Sequence, residues 1–599
     1  MSREELDGGL GNYWRVMPCC CDETEGGNGV LTERMPAETM KEDLDVRFDV
    51  YYTHDELMER MKRLCAHYPR LASMASVGKS YEGRDVWVLT ITDTDVKAAD
   101  DKPAYYIDAN HHAGEVTGSM VALYTAVYLL ENFGADSRVT DLLRRYTFYI
   151  VPRVSPDGSE RYLTSPDMLR STLRPWPARG EEEKGLSPCD VDGDELILQM
   201  RVPSEEGAWK VSDVDSRLMV LREPYDDDEG PFYDLYPEGL VRDYDGASVG
   251  MAPPRWGLDL NRNYPMGWKD ETEQQGAGPH ALSEPETYNI AQFFDQHKNI
   301  AGATSYHTTG GIILRPPCTG PDSDMDMSDL RIHQLLGDRG EELTGYPCQS
   351  VYDAMTLNKK RPSRGSFIDF AYELHGIIVF APELWNLSDR AGIPRRTPQE
   401  RYMLTAEERE EDDLGVLKWI DEHTPSSFHT WREFDHPQLG KVEIGGIDIK
   451  YVMQNPPVQF LEQECHKNMM ASLVCAAALP ELKVRESTVA ILGENLYRLT
   501  AVVENAGWLP THVTSKGRNS WAVPPRFHLQ LPQGAALVMG QERGEVGHLD
   551  GRSRAMDRGV PERTWQGEWL IRCDDGGGQV GLRISGDRCG SVDVVFELC

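Results

Sequence analysis

The feature that most constrains this chain is a strand, a loop and a helix in immediate succession: AYYIDAN (104–110), HHAGE (111–115) and VTGSMVALYTAVYLLENFG (116–134). The first segment is short and apolar and reads as a strand. The last is long enough for a helix, with Gly134 as its expected C-cap. A strand feeding straight into a helix belongs to an α/β sheet. The joining loop then lies at the sheet's C-terminal edge, where open α/β folds gather functional groups. Either His111 or His112 could share a metal ion with Glu115. Taken alone, His-x-x-Glu is a weak pattern, and a polar helix N-terminus explains it as well.

The same rhythm surrounds this unit. Thr53 and Glu56 form a capping box ahead of Leu57, Met61 and Leu64, which predicts a helix. DVWVLTIT (85–92) and FYIVP (148–152) read as strands, the second ending in a Ser155-Pro-Asp-Gly158 turn. After an acidic, proline-rich stretch at about 176–255, read as an insertion, the pattern resumes. It gives a second capping box at Ser283 and Glu286, then SYHTTGGIILRPP and GIIVFAPELW (376–385). These segments predict an α/β domain over 49–484, a mixed sheet flanked by helices, closed by an amphipathic helix near 456–480. Past 485, TVAILG, YRLTAVVEN, FHLQL, EWLIRC, VGLRIS and VDVVFEL alternate between turn residues, which predicts an all-β sandwich over 485–599. Residues 1–48 read as an irregular arm, too short to fold as a separate cleft-blocking domain. A chain of 599 residues is too long for one core, in keeping with this division.

A net charge of −36 and a pI near 4.8 argue against non-specific nucleic-acid binding. No apolar run is long enough to span a bilayer, and the first residues have no secretory pattern. The 12 cysteines show no disulfide spacing, so a cytoplasmic protein is expected. Cys19, Cys20 and Cys21 read as free thiols in the arm, with soft-metal binding as the alternative.

Five motifs follow in order: HHAGE, RSTLRPWP (170–177), GLDLNRNY (257–264), SYHTTGG (305–311) and SFIDFAYELHGIIVFAPELW (366–385). Together they make the chain resemble the zinc metallocarboxypeptidases of the carboxypeptidase A type, especially their bacterial branch, from about Tyr51 to Leu387 outside the insertion. The resemblance implies one zinc ion held by His112, Glu115 and His307, leaving His111 as a flanking residue. Asp259 matches a carboxylate that orients a ligand imidazole. Glu383, at the end of a strand, matches the catalytic base, and Glu373 falls in a spacer. Arg174 matches an arginine that stabilises the oxyanion, with Arg170 as the alternative. Asn261 and Arg262 match the pair that grips a substrate's terminal carboxylate. Tyr352 is the nearest counterpart of a mobile tyrosine, and Ile368 of a pocket-floor residue favouring apolar side chains.

The implied reaction is hydrolysis of a peptide's C-terminal bond. The same groups would serve a zinc amidohydrolase acting on a γ-glutamyl, peptidoglycan or N-acyl bond. A binding protein with lapsed catalysis is the third reading. The expected partner is a peptide or small amide with a free carboxylate, not a nucleic acid or a membrane. The insertion is expected near the cleft mouth, limiting substrate size, and the sandwich's partner stays open. Within the insertion, Asp190, Asp192 and Asp194 alternate as in a calcium loop, although Glu195 and Arg201 replace the expected glycine and final acid; a polar turn explains them too.

Overall fold

The computed structural model describes residues 44–177, 184–223, 230–520, 522–553, 560–574 and 577–598. Eight strands form the central sheet: β1 (Ala72–Lys79), β2 (Asp85–Ile91), β3 (Ala104–Ala109), β4 (Thr147–Val151), β5 (Ile300–Thr308), β6 (Ile312–Arg315), β7 (Cys348–Ser350) and β8 (Ile378–Leu384). Their spatial order is β1-β2-β4-β3-β5-β8-β6-β7. The inner run β4-β3-β5-β8 is parallel, and antiparallel pairings flank it, so the sheet is mixed. Every residue of β3, β4, β5 and β8 is buried, as expected of strands covered on both faces.

The six longest helices are α1 (His54–His67), α2 (Val116–Asn132), α3 (Pro285–Gln296), α4 (Met327–Thr344), α5 (Ala406–His423) and α6 (Val458–Ala477). Side chains alternate across β3. Tyr105 and Ile107 join an apolar cluster with α2 and α6, whereas Ala104 and Tyr106 join another with Ile290 and Phe294 of α3. Helix α2 is apolar nearly all round because it lies between the sheet and α6. Gly134 takes a left-handed φ of 83° just beyond it.

Three expectations change. Ser155–Gly158 is more than a turn: Pro156 opens a helix, Pro156–Thr164, because proline suits the first helical position. The expected Ser283–Glu286 capping box does not form. Glu284 is the N-cap, and the buried Glu286 accepts the Tyr81 N–H at 3.0 Å. Of the expected irregular arm, residues 1–43, including Cys19–Cys21, lie outside the described residues, but Leu44, Val46 and Phe48 are buried, with Phe48 edge-on to Tyr124 of α2.

The insertion is a folded part of a second sheet. Its strands Gln199–Pro203, Trp209–Val211, Met219–Leu221 and Phe232–Pro237 combine with Phe428–His436 and Gly440–Ile447 in one six-stranded sheet. Arg201 ties the two sources together, pairing with Glu443 at 2.8 Å while its guanidinium lies over Tyr233 and Trp431. The insertion's two ends meet at a bridge between Trp176 and Trp256.

From Leu482 to Leu598, two four-stranded antiparallel sheets enclose a core that includes Leu499, Trp569, Val580 and Phe596. This unit is joined tightly to the rest. Trp508, Leu509 and Val513 enter the core beside α2, and the buried Arg588 donates to the carbonyls of His375 and Gly376.

Candidate active site

The register of two strands sets the site. His307 on β5 lies directly opposite Glu383 on β8, each one residue from its strand's end. Opposed residues on neighbouring strands point to the same face of a sheet, and the strands are about 4.8 Å apart. On the other side of β5, β3 ends at Ala109, beside Tyr306, and releases the loop with His112 and Glu115.

Three side chains converge there. His112 Nδ1 is 2.7 Å from Glu115 Oε1 and 3.1 Å from His307 Nδ1, and His307 Nδ1 is 2.9 Å from Glu115 Oε2. His112 Nε2 lies 3.1 Å from Asp259 Oδ1, which sets the tautomer: Nε2 donates to the carboxylate, leaving a lone pair on Nδ1. Two buried imidazole nitrogens and a carboxylate brought this close form a set that could hold a metal ion between them. Two imidazoles and one carboxylate suit zinc, and three protein ligands leave a fourth position for water or substrate.

His111 is excluded geometrically. Its Nε2 meets the Tyr264 hydroxyl at 2.7 Å and its Nδ1 faces the Ser305 hydroxyl at 3.3 Å. Burial, with His307 and His112 nearby, holds its pKa well below the usual histidine range. Asn110 was not foreseen. It adopts φ 63°, which asparagine tolerates, and its Nδ2 donates to the His112 carbonyl at 2.8 Å and the Ala113 carbonyl at 3.2 Å.

The electrostatics match this arrangement. Burial would raise the Glu115 pKa, but His112 and His307 outweigh it and keep Glu115 ionised. Burial likewise opposes charge on Asp259, and Arg170 and Arg262 overcome it. Glu383 differs: burial and then the charge of Glu115 push its pKa up to about 8, against the pull of His112, Arg170 and Arg262. A carboxyl so poised can take and return a proton near neutrality.

Arg174 and Arg170 part company. Arg174 turns away to pair with Glu284 at 2.6 Å, which satisfies its charge elsewhere. Arg170 reaches the cluster, with Nε 3.0 Å from Asp259 Oδ2 and Nη1 3.6 Å from Glu115 Oε1; its side chain is 45% exposed, so it faces solvent as well. Asn261 follows Asp259, its N–H donating to Asp259 Oδ1 at 2.8 Å, while its own Oδ1 accepts the Phe367 N–H at 2.8 Å. Arg262 donates to the Asn261 carbonyl at 2.7 Å. Tyr352 is held at Lys359, whose carbonyl accepts the phenol at 3.3 Å and whose ammonium sits 4.5 Å over the ring. Ile368 is buried in the apolar cluster with Phe367 and Phe370. Glu373 pairs with Lys516 at 2.5 Å, at the junction with the C-terminal sheets.

The aspartate loop, read as either a calcium loop or a polar turn, is filled from within. Asp190 accepts the Gly193 and Glu195 N–H groups, and Asp192 and Asp194 accept those of Asp194 and Leu196. Arg432 places one guanidinium nitrogen 2.7 Å from both Asp192 and Asp194. An arginine from the neighbouring strand thus supplies the positive charge.

The sequence pattern of zinc carboxypeptidases matches residues 57–408. The chain belongs to the zinc carboxypeptidase family. This zinc metallopeptidase is 34% identical to carboxypeptidase A2 of Mus musculus over 384 residues, 63% of this chain and 70% of that one. Carboxypeptidase A2 of Rattus norvegicus is 25% identical over 384 residues, with the same coverage. Among solved structures, thrombin activatable fibrinolysis inhibitor superposes with a TM-score of 0.42 at 17% identity, over 72% of this chain and 74% of that one. Residues 481–597 match a separate domain family described as of unknown function. No described helix is long and apolar enough to cross a membrane.

Proposed function

We propose that this zinc carboxypeptidase is of the A type and removes residues one at a time from the C-terminus of peptides. The observation that carries the reading is the direct opposition of Glu383 to His307, which puts a proton-accepting carboxyl beside the metal-ligand cluster. Bound zinc would supply an acidified water and polarise the scissile carbonyl. Glu383 takes the water proton and delivers it to the departing amine. Arg170 carries the positive charge that meets the developing oxyanion; Arg174 is committed to Glu284. Arg262, with Asn261, holds the terminal carboxylate through a planar, two-pronged contact. Tyr352 closes over substrate from the Lys359 turn, and Ile368 lines the apolar floor. The relatives named above are rat and mouse proteins and do not bear on a bacterial branch. The eight described cysteines are free thiols, which supports a reducing, cytoplasmic setting.

The test is a paired assay of wild-type protein and Glu383→Gln, measuring zinc per chain and amino acids released from a mixed peptide library. The expected result is zinc in both and trimming at least ~10²-fold slower in the variant. Trimming by Glu383→Gln at the wild-type rate would remove Glu383 from the mechanism. Zinc in both with no trimming by the wild type would redirect the substrate to γ-glutamyl, peptidoglycan or N-acyl amides.

A further inference from the structure

We infer that Asn455 is a positioning residue for the metal-ligand turn, clamping the backbone on both sides of Glu115. The inference rests on His112, Glu115 and His307 being the zinc ligands. Helix α2 starts at Val116, so Glu115 occupies its N-cap. An N-cap side chain ordinarily accepts a first-turn N–H. Glu115 makes no such bond, because its carboxylate faces His112 and His307. The first turn is buried, where an unmet backbone donor is costly.

Asn455 fills that role from far along the chain. Its fully buried Oδ1 accepts the Thr117 N–H at 3.1 Å and the Thr117 hydroxyl at 2.8 Å, and its Nδ2 donates to the Gly114 carbonyl at 2.7 Å. One planar amide therefore grips the residue before Glu115 and the second one after it. Asn455 is itself held by the Lys450 carbonyl at 3.1 Å and the Tyr162 hydroxyl at 3.2 Å. The Lys450 ammonium donates to the carbonyls of Tyr162 at 2.7 Å and Ser165 at 2.6 Å, fastening this segment to the helix Pro156–Thr164. The cover is tight: a Cβ on Gly114 would lie 2.8 Å from the Gln454 amide and the Tyr162 ring. Asparagine suits the position because it offers a donor and an acceptor at once; aspartate keeps only the acceptor and alanine neither.

Asn455 lies beyond the 57–408 segment that matches the family, in the stretch that directly follows the inserted sheet's strand Gly440–Ile447. The clamp thus joins the inserted sheet to the metal-ligand turn.

The test uses the full chain as wild type, Asn455→Ala and Asn455→Asp. It measures zinc affinity by competition with a chromogenic chelator and thermal unfolding of the zinc-free proteins. The expected result is about 10–100-fold weaker zinc binding in Asn455→Ala, the range typical of removing a group that orients a ligand, with a smaller loss in Asn455→Asp. Unchanged zinc affinity in Asn455→Ala, or in Asn455→Asp should the alanine variant not fold, would overturn the inference. So would a fall in zinc-free stability without a change in zinc affinity, which assigns Asn455 a purely structural role. A wild-type chain that binds no zinc would overturn the ligand assignment itself.

Discussion

Among the described residues, two groups of side chains have donor atoms close enough to hold a metal: His112, Glu115 and His307 in one, Asp190, Asp192 and Glu238 in the other. Their difference is one of satisfaction rather than spacing. In the first, the outer ring nitrogens of His112 and His307 face Asp259 and the Ser305 hydroxyl, while both inner Nδ1 atoms and both Glu115 oxygens face one another. In the second, backbone N–H groups fill the carboxylates: Glu238 accepts from Val191, Asp192 and Leu198, Asp190 from Gly193 and Glu195. Arg432 adds the compensating charge. A metal site is recognised by what its acceptors lack.

The largest expected effect of breaking that contrast comes from His307→Ala. It should lose bound zinc and reduce peptide hydrolysis to background, read from metal content and product release; full zinc in the variant would dissolve the first group as a site. Next come the two arginines. Arg170→Ala should slow turnover by about 10²–10³-fold. Arg174→Ala should stay within a few-fold, and the reverse ranking in kcat would restore Arg174 as the oxyanion residue.

A third kind of carboxylate sharpens the comparison. Glu286 is buried with neither metal nor arginine, its Oε2 lacks a hydrogen-bond partner, and burial raises its pKa from 4.5 to about 7. Because the folded state holds this proton more tightly, its stabilising share is complete below pH ~4.5 and is lost as pH rises toward about 7. Glu286→Gln should flatten this part of the stability–pH curve, by roughly 1–3 kcal/mol across the window, measured by urea unfolding at several pH values. An unaltered curve would contradict the assignment.

The smallest effect belongs to Arg432→Ala, whose side chain is 51% exposed. It should cost about 0–1 kcal/mol and leave zinc content unchanged. Millimolar calcium should leave the wild-type melting temperature unmoved. A clear rise with calcium would make the aspartate loop a metal site after all.

What the amino-acid pattern conveyed was local. β3, β4 and β8 were legible because short apolar runs end at turn residues, and the metal-ligand motifs because they sit at those ends. Strand β1 was missed: its burial alternates poorly, and its identity comes from pairing with β2. The inserted sheet was missed for a related reason. Its strands are three to nine residues long and come from two distant stretches, so no local period announces them. Arg170 and Arg174 carry the same local signal, and what separates them is distant in sequence: Glu284 takes Arg174, while Asp259 and Glu115 face Arg170. Asn455 gave no signal, since its partners are met only after the chain has folded back on itself.

The remoteness of Asn455 also has a consequence in time. Synthesis runs from the N-terminus at roughly 5–20 residues per second, so His112, Glu115, His307 and Glu383 all emerge from the ribosome seconds before their clamp. The inserted sheet waits too, since Arg201 finds its strand partner only when Glu443 has been made. A nascent chain that stops between these points carries every ligand but an unfastened turn. On the proposal that Asn455 positions that turn, such a chain would hold zinc more weakly than one in which residue 455 has emerged and folded back onto Gly114 and Thr117.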